Sequence, residues 1–188
     1  MSQAVQLQGL PPLVNADTRV LVLGSFPGVK SLQLQQYYAH PQNQFWRIMQ
    51  SLWPDAPWPT DRDYARRCQC LLAQGVGVWD VYAQCEREGS LDSAIRSAQL
   101  NDFPALLQRC PRLSGVAHNG GESFRHAQAV KKSWAQKPVR PSSSLFIAYH
   151  RPVPPMRRGP LNKNARPGPR SCKRMACGLA MHPHGTPV

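Results

Sequence analysis

Two stretches of this sequence carry residue types able to do chemistry: Gly24-Ser25-Phe26-Pro27-Gly28, and Tyr37-Tyr38-Ala39-His40-Pro41-Gln42-Asn43-Gln44-Phe45-Trp46. The glycines of the first let backbone N–H groups approach a ligand closely. A nucleotide-triphosphate loop would need Gly-Lys-Ser/Thr in series, and Val29 separates Gly28 from Lys30, so that chemistry is set aside. The second stretch supplies two adjacent aromatic rings, an imidazole and the neutral amide of Asn43. An amide offers one acceptor oxygen and two donor hydrogens without titrating near neutral pH. Asn43 also stands just ahead of an apolar run, where Asn readily serves as a helix N-cap. A carboxylate, Asp80, closes the run Val76–Val81, where it can face a ligand or cap the following turn.

These residues need elements to hold them. Arg19–Gly24 (RVLVLG) is a short aliphatic, β-branched run stopped by Gly and Pro, as expected of a buried parallel strand. From Asn43 to Trp53 the apolar residues Phe45, Trp46, Ile48, Met49, Leu52 and Trp53 recur at helical spacing before Pro54. The spacing makes Phe45 and Trp46 core residues. Asp61–Gln74 reads as a second helix, with Asp61 as its cap and Gly75 as its stop. Val76–Val81 is a second strand, Asp102–Cys110 a helix, Ser114–His118 a third strand, Asn119-Gly120-Gly121 a turn and Glu122–Trp134 a further helix. This alternation predicts an α/β fold, a three-layer α/β/α sandwich around a short, mainly parallel four-stranded sheet. Ligands of such sheets sit at the carboxyl ends of the strands. The loops after residues 24, 80 and 118 are therefore expected to converge.

At 188 residues the chain has room for one full domain. Met1–Gly9 lacks the basic start and apolar core of a signal peptide, and no run of about 18 apolar residues occurs. A soluble, cytoplasmic protein is expected. Six cysteines then read as reduced thiols. Cys68, Cys70, Cys85 and Cys110 follow no zinc spacing, so no metal is expected. The net charge of +13 suggests nucleic acid, but it is unevenly placed. Residues 1–122 hold 10 basic and all 10 acidic residues, while residues 123–188 hold 13 basic residues and no acid.

The Gly24–Gly28 loop followed by an aromatic, a Pro and Asn43-Gln44-Phe45-Trp46 resembles the uracil-DNA glycosylase superfamily, where a Gly-x-x-Pro-Gly loop precedes Asn-x-Phe-Trp. Phe26 stands where other branches place a catalytic Asn or Asp, which points to the branch resembling hypoxanthine-DNA glycosylase. Trp79-Asp80-Val81, Gly89-Ser90-Leu91-Asp92, Asn101-Asp102-Phe103 and Asn119-Gly120 add to the likeness, which covers roughly residues 8–144. The resemblance implies a monofunctional DNA glycosylase of base-excision repair, releasing hypoxanthine or uracil from DNA as a monomer and without a cofactor. N-glycosidic hydrolysis passes through an oxocarbenium-like sugar and an anionic departing base, so it calls mainly for a placed water and charge stabilisation. Asn43 is implied to hold that water. The loop of Gly24, Ser25, Pro27 and Gly28 would surround base and water, and Phe26, Tyr38 and Asp80 would bind the base. His40, Asn119, Gly120, Ser142, Ser143 and Ser144 would contact DNA. On their own residues, His40 also reads as a plain loop position and Asn119-Gly120 as a plain turn. A DNA-binding relative without catalysis and a hydrolase of free nucleosides are the competing readings.

The likeness stops after Lys137-Pro-Val-Arg-Pro-Ser-Ser-Ser144, where relatives continue with Pro and this chain has Leu145. Codons permitted for residues 145–181, read one base along, restore that Pro, bring back acids and yield an amphipathic stretch suited to a last helix. Residues 1–144 are therefore expected to form the glycosylase-like domain without its last helix. Residues 145–188 would be a frame-changed or disordered basic tail, in which Leu145–Tyr149 only imitates a strand. An unbroken reading frame at the Ser144 codon, with codons that forbid the shifted peptide, counts against this.

Overall fold

The computed structural model describes residues 6–135 and 146–150. A four-stranded sheet is built from β2 (Val20–Gly24), β3 (Val76–Asp80), β6 (Gly115–Asn119) and β7 (Phe146–His150) in the order β3-β2-β6-β7. All its pairings are parallel, with Val20 opposite both Val76 and Gly115. Leu21, Leu23, Val78 and Val116 are essentially sealed from solvent. That explains why these strands are continuous apolar runs instead of alternating ones.

Helices α1 (Val29–Leu34), α2 (Phe45–Leu52) and α3 (Tyr64–Ala73) connect β2 to β3, and α4 (Phe103–Arg109) leads to β6. The chain leaves β2 towards β3 on one side and later adds β6 on the other. The crevice beyond the end of β2 is thus a topological switch point, the place where α/β sheets bind ligands.

Helix α2 buries Phe45, Trp46 and Met49, while Ile48 and Leu52 face solvent. In α3 the cap is Asp63, whose carboxylate accepts the Arg66 N–H at 3.1 Å; Asp61, expected in that role, instead accepts from the N–H of Asp63 at 3.1 Å. Both can accept two or three residues ahead, and the helix starts where the second does so. Asp102 caps α4 through the Ala105 N–H, with Pro104 in the first turn.

Several expectations change. The single helix expected over Glu122–Trp134 is two, α5 (Gly121–Arg125) and α6 (Ala127–Ala135), broken at His126. The Tyr82 hydroxyl donates to Glu122 Oε1 at 2.6 Å and lies 2.7 Å from His126 Nε2, so a side chain from another element holds both sides of the break. A second sheet was not expected: β1 (Gln6–Gln8), β4 (Tyr82–Glu86) and β5 (Arg96–Leu100) pair antiparallel in the order β1-β4-β5. Every residue of β5 is exposed, so it carries no hydrophobic alternation to read. Leu145–Tyr149 is expected only to imitate a strand, yet Phe146–His150 pairs in parallel with all of β6. A run rich in aromatic and branched residues suits the vacant edge of an apolar sheet. The described residues all lie in one compact unit, Met1–Val153. Among them no helix is long and apolar enough to cross a membrane.

Candidate active site

At the carboxyl end of β2 lies a cavity of about 340 Å³, within the range of small-ligand pockets. Its wall includes the whole Gly24–Gly28 loop, Tyr38, His40 and Asn43 from the second chemical stretch, Asp80 from the end of β3 and Asn119 from the end of β6. The three loops expected to converge do so. Gly120 is not on the wall: it precedes α5 at φ +122, a backbone region that favours glycine, and its carbonyl accepts the Phe124 N–H. Ser142, Ser143 and Ser144 lie outside the described residues.

Asp80 forms the floor. It sits opposite Gly24 in the ladder, and a Cβ built on Gly24 would lie 2.3 Å from Asp80 Oδ1. The glycine is therefore a matter of space for the carboxyl group. The side chain is 5 % exposed, and Oδ2 is buried without a hydrogen-bond partner. Buried polar atoms are nearly always paired, and Asp80 lines a cavity able to hold a ligand. Burial, reinforced by the neighbouring Asp92 and opposed by Arg87, pushes the carboxyl pKa up to about 7. The backbone here is pinned by Asn101, whose Nδ2 donates to the Asp80 carbonyl at 2.8 Å. Gly24→Ala is expected to cost about 1–3 kcal/mol by overpacking and to close the floor of the cavity. Chemical denaturation of the variant measures this, and a wild-type midpoint contradicts it.

Tyr38 adopts a left-handed backbone, φ +54, and stacks its ring on Phe45 with centroids 3.9 Å apart and planes 20° from parallel. Its hydroxyl accepts from Asn119 Nδ2 at 3.1 Å, joining the second chemical stretch to β6. Tyr37 is an anchor: its hydroxyl contacts the Leu10 and Pro11 carbonyls, and its own carbonyl accepts from the Trp46 indole at 3.1 Å. Burial, the Asp80 charge and neighbouring tyrosines raise the pKa of Tyr37, and burial with the Asp80 charge raises that of Tyr38. Both stay neutral.

Asn43 stands exposed on the cavity wall. Its Oδ1 accepts the Phe45 N–H at 2.9 Å, just ahead of α2. The N-cap of α2 is Gln44, without a side-chain cap bond, so the N-cap role read for Asn43 passes to its neighbour, and the Asn43 amide instead closes a two-residue turn ahead of the helix. One lone pair of Oδ1 and both amide hydrogens remain available. His40 is exposed on the same wall, and its Nδ1 accepts the Gln42 N–H at 3.3 Å.

Three contributors escaped the sequence reading. Arg87 is 9 % exposed, stacks its guanidinium 5.0 Å from the centre of the Phe26 ring and donates to the Pro27 carbonyl. It thus backs the loop with a buried cation. Glu86-Arg87-Glu88 looks like a solvated charge cluster, and nothing in it announces burial. Ser90 and Asp92 come from the segment Gly89-Ser90-Leu91-Asp92: Ser90 Oγ accepts the Val29 N–H at 2.9 Å and Asp92 Oδ1 accepts from Ser25 Oγ at 2.6 Å. That motif was visible, but not that it clasps the loop. Lys30 also reaches the wall.

Behind the wall, Ser123 Oγ donates to the Leu23 carbonyl at 2.8 Å and so accepts from His118 Nδ1 at 2.8 Å. Burial lowers the His118 pKa and keeps the ring neutral, a structural role. Cys68, Cys70 and Cys85 are free thiols, and no cluster of metal-ligating side chains occurs among the described residues.

The family model described as the uracil DNA glycosylase superfamily matches residues 11–157. Two curated proteins named hypoxanthine DNA glycosylase, from Methanosarcina barkeri and Methanosarcina acetivorans, are 34 % and 33 % identical over 137 residues. Each match covers 73 % of this chain and 85 % of the relative. The solution NMR structure of a candidate uracil DNA glycosylase from Methanosarcina acetivorans superposes with a TM-score of 0.62 at 27 % identity, covering 77 % of this chain and 84 % of that one.

Proposed function

The chain belongs to the uracil DNA glycosylase superfamily, and from that premise we propose that it hydrolyses the N-glycosidic bond of deaminated bases, hypoxanthine and uracil, in DNA. The observation that carries this reading is the buried, unpartnered carboxyl of Asp80 on the floor of a cavity whose wall bears Asn43. Hypoxanthine and uracil each present a carbonyl oxygen where adenine and cytosine present an amino group. Burial pushes the Asp80 pKa up to about 7, and in its protonated form the carboxyl donates a hydrogen bond to such a carbonyl. Built for that bond, the site rejects the amino parent, which would leave buried donors facing each other.

The extruded base enters against Phe26 and Tyr38. Tyr38 is already held from behind by Phe45, so its orientation costs little on binding. Asn43 uses its free lone pair to accept a hydrogen bond from the attacking water, while its contact to the Phe45 N–H fixes the amide plane. As the glycosidic bond breaks, negative charge moves onto the base. Asp80 and the backbone N–H groups of the Ser25–Gly28 loop receive it, with the Arg87 cation behind Phe26 adding a favourable field. His40 and Asn119, at the rim, contact the DNA strand. Water is the nucleophile, so the sugar–phosphate strand stays intact until alkali is added, despite Lys30 on the wall.

The test is base release from duplexes carrying one deoxyinosine or one deoxyuridine, read with and without alkali. Release of hypoxanthine or uracil, with strand scission only after alkali, is expected. Binding without release favours a DNA-binding relative lacking catalysis, and release from free inosine but not from DNA favours a nucleoside hydrolase. Either outcome overturns the reading.

A further inference from the structure

We infer that Asn119 and Tyr38 act together as a second hydrogen-bond donor to the base: the Asn119 amide holds the Tyr38 hydroxyl so that its hydrogen meets the carbonyl oxygen of hypoxanthine or uracil. The inference rests on the glycosylase reading above and adds to Asp80 a donor of a different kind. Tyr38 adopts φ +54, a backbone region that residues other than glycine rarely occupy. The chain is held there on both sides: the Trp46 indole donates to the Tyr37 carbonyl at 3.1 Å, and Ser31 Oγ accepts the Ala39 N–H at 3.2 Å. Backbone strain of this kind persists where the surroundings over-determine it, and it gathers at positions that clamp a ligand.

The Tyr38 ring stacks on Phe45 with centroids 3.9 Å apart, and a ring that only stacks needs no hydroxyl. The hydroxyl nevertheless has a partner: Asn119 Nδ2, from the end of β6, donates to it at 3.1 Å. A hydroxyl that accepts from an amide sends its own hydrogen elsewhere, and among the described residues nothing takes that hydrogen. Tyr38, Asn119 and Asp80 all line the cavity. The point that a Cβ on Gly24 would occupy lies 2.3 Å from Asp80 Oδ1 and 3.7 Å from the Tyr38 hydroxyl, so both groups border the same part of the floor.

A carbonyl oxygen carries two lone pairs. One meets Asp80 and the other the Tyr38 hydroxyl, whereas the amino group of adenine or cytosine presents hydrogens to both. The two donors differ in one respect. Ionisation turns the Asp80 carboxyl into a pure acceptor, which suits an amino group, while a phenol stays a donor throughout the neutral range. Burial and the Asp80 charge raise the Tyr38 pKa further. The Asn119–Tyr38 pair therefore keeps the cavity selective for carbonyl-bearing bases after Asp80 has lost its proton.

The experiment measures the affinity of wild type, Tyr38→Phe, Asn119→Asp and the double variant, as full chains, for two duplexes that resist hydrolysis. One carries the 2′-fluoroarabino nucleoside of hypoxanthine, the other that of unsubstituted purine, which lacks the carbonyl. Phenylalanine keeps the ring and its stack on Phe45. Aspartate keeps the shape of Asn119 but accepts from the hydroxyl, turning its hydrogen away from the base, and any effect of the new charge on DNA binding cancels in the ratio of the two affinities. Each single variant is expected to lower the preference for hypoxanthine over purine by about 3- to 10-fold, what one neutral hydrogen bond is worth, and the double variant to lower it no further. An unchanged preference in Tyr38→Phe, losses that multiply in the double variant, or a wild type that binds both duplexes equally overturns the proposal. Single-turnover release from deoxyinosine is read alongside: should wild type release no base while still preferring the hypoxanthine duplex, the glycosylase reading fails and the donor pair stands as a recognition device.

Discussion

Asn43→Ala is expected to slow single-turnover release of hypoxanthine from a deoxyinosine duplex by about 10²- to 10³-fold, the range seen when one positioned polar group is removed from a reacting centre. Duplex affinity should change little, because the proposed role of the amide is to hold water as the bond breaks. Stability should fall by about 1 kcal/mol, since Oδ1 accepts the Phe45 N–H just ahead of α2, whose N-cap is Gln44. Asn43→Ser separates the two roles: a serine hydroxyl accepts the same N–H, so stability returns while the rate stays low. If serine restores the rate together with stability, Asn43 acts through the turn alone. An alanine variant with full activity would falsify the mechanism outright.

The second expectation concerns Asp80. Its carboxyl holds a proton up to about pH 7 in the folded protein, against 3.8 for an unperturbed aspartate. Between those values the folded state retains a proton that the unfolded chain has released. The stabilising effect is complete below about pH 4 and is lost as pH rises through about 7. At about 1.4 kcal/mol per unit the loss amounts to roughly 4 kcal/mol, visible as the difference between wild type and Asp80→Asn in denaturation at several pH values. Asp80→Asn should show no such fall, because the amide does not titrate.

Base release should follow the same group. The proposed donor is the protonated carboxyl, so the rate on deoxyinosine should decline as pH rises through about 7 in wild type and stay flat there in Asp80→Asn. Arg87 lowers the pKa of Asp80 and Asp92 raises it, so Arg87→Met should move the midpoint up and Asp92→Asn should move it down. A wild-type profile flat from pH 5 to 9, with stability equally flat relative to Asp80→Asn, contradicts a protonated floor.

The two sheets contribute differently to this arrangement. The parallel sheet fixes where Gly24, Asp80 and Asn119 end. The antiparallel hairpin supplies Arg87, Ser90 and Asp92, which clasp the loop from the other side. The hairpin thus brings to the floor both the charge that raises the Asp80 pKa and the charge that lowers it.

Much of this was legible in the sequence. Leu21, Leu23, Val78 and Val116 form continuous apolar runs because both faces of a parallel sheet are buried, and the spacing of Phe45, Trp46 and Met49 marks one face of a helix; local patterns report local burial. Gly24-Ser-Phe-Pro-Gly28, Asp80 and Asn119 could be placed on one cavity because strand ends in such a sheet share an edge, whereas Asn43 was placed there by the resemblance of its motif. Only the tertiary structure decided the rest. It buries Arg87 within an acidic-looking cluster, breaks the last helix at His126 through Tyr82, builds a strand with no buried residue at Arg96–Leu100, and sets Phe146–His150 on the sheet edge. Each depends on a partner distant in the chain, and a side chain's neighbours in sequence carry no record of the group it meets across the fold.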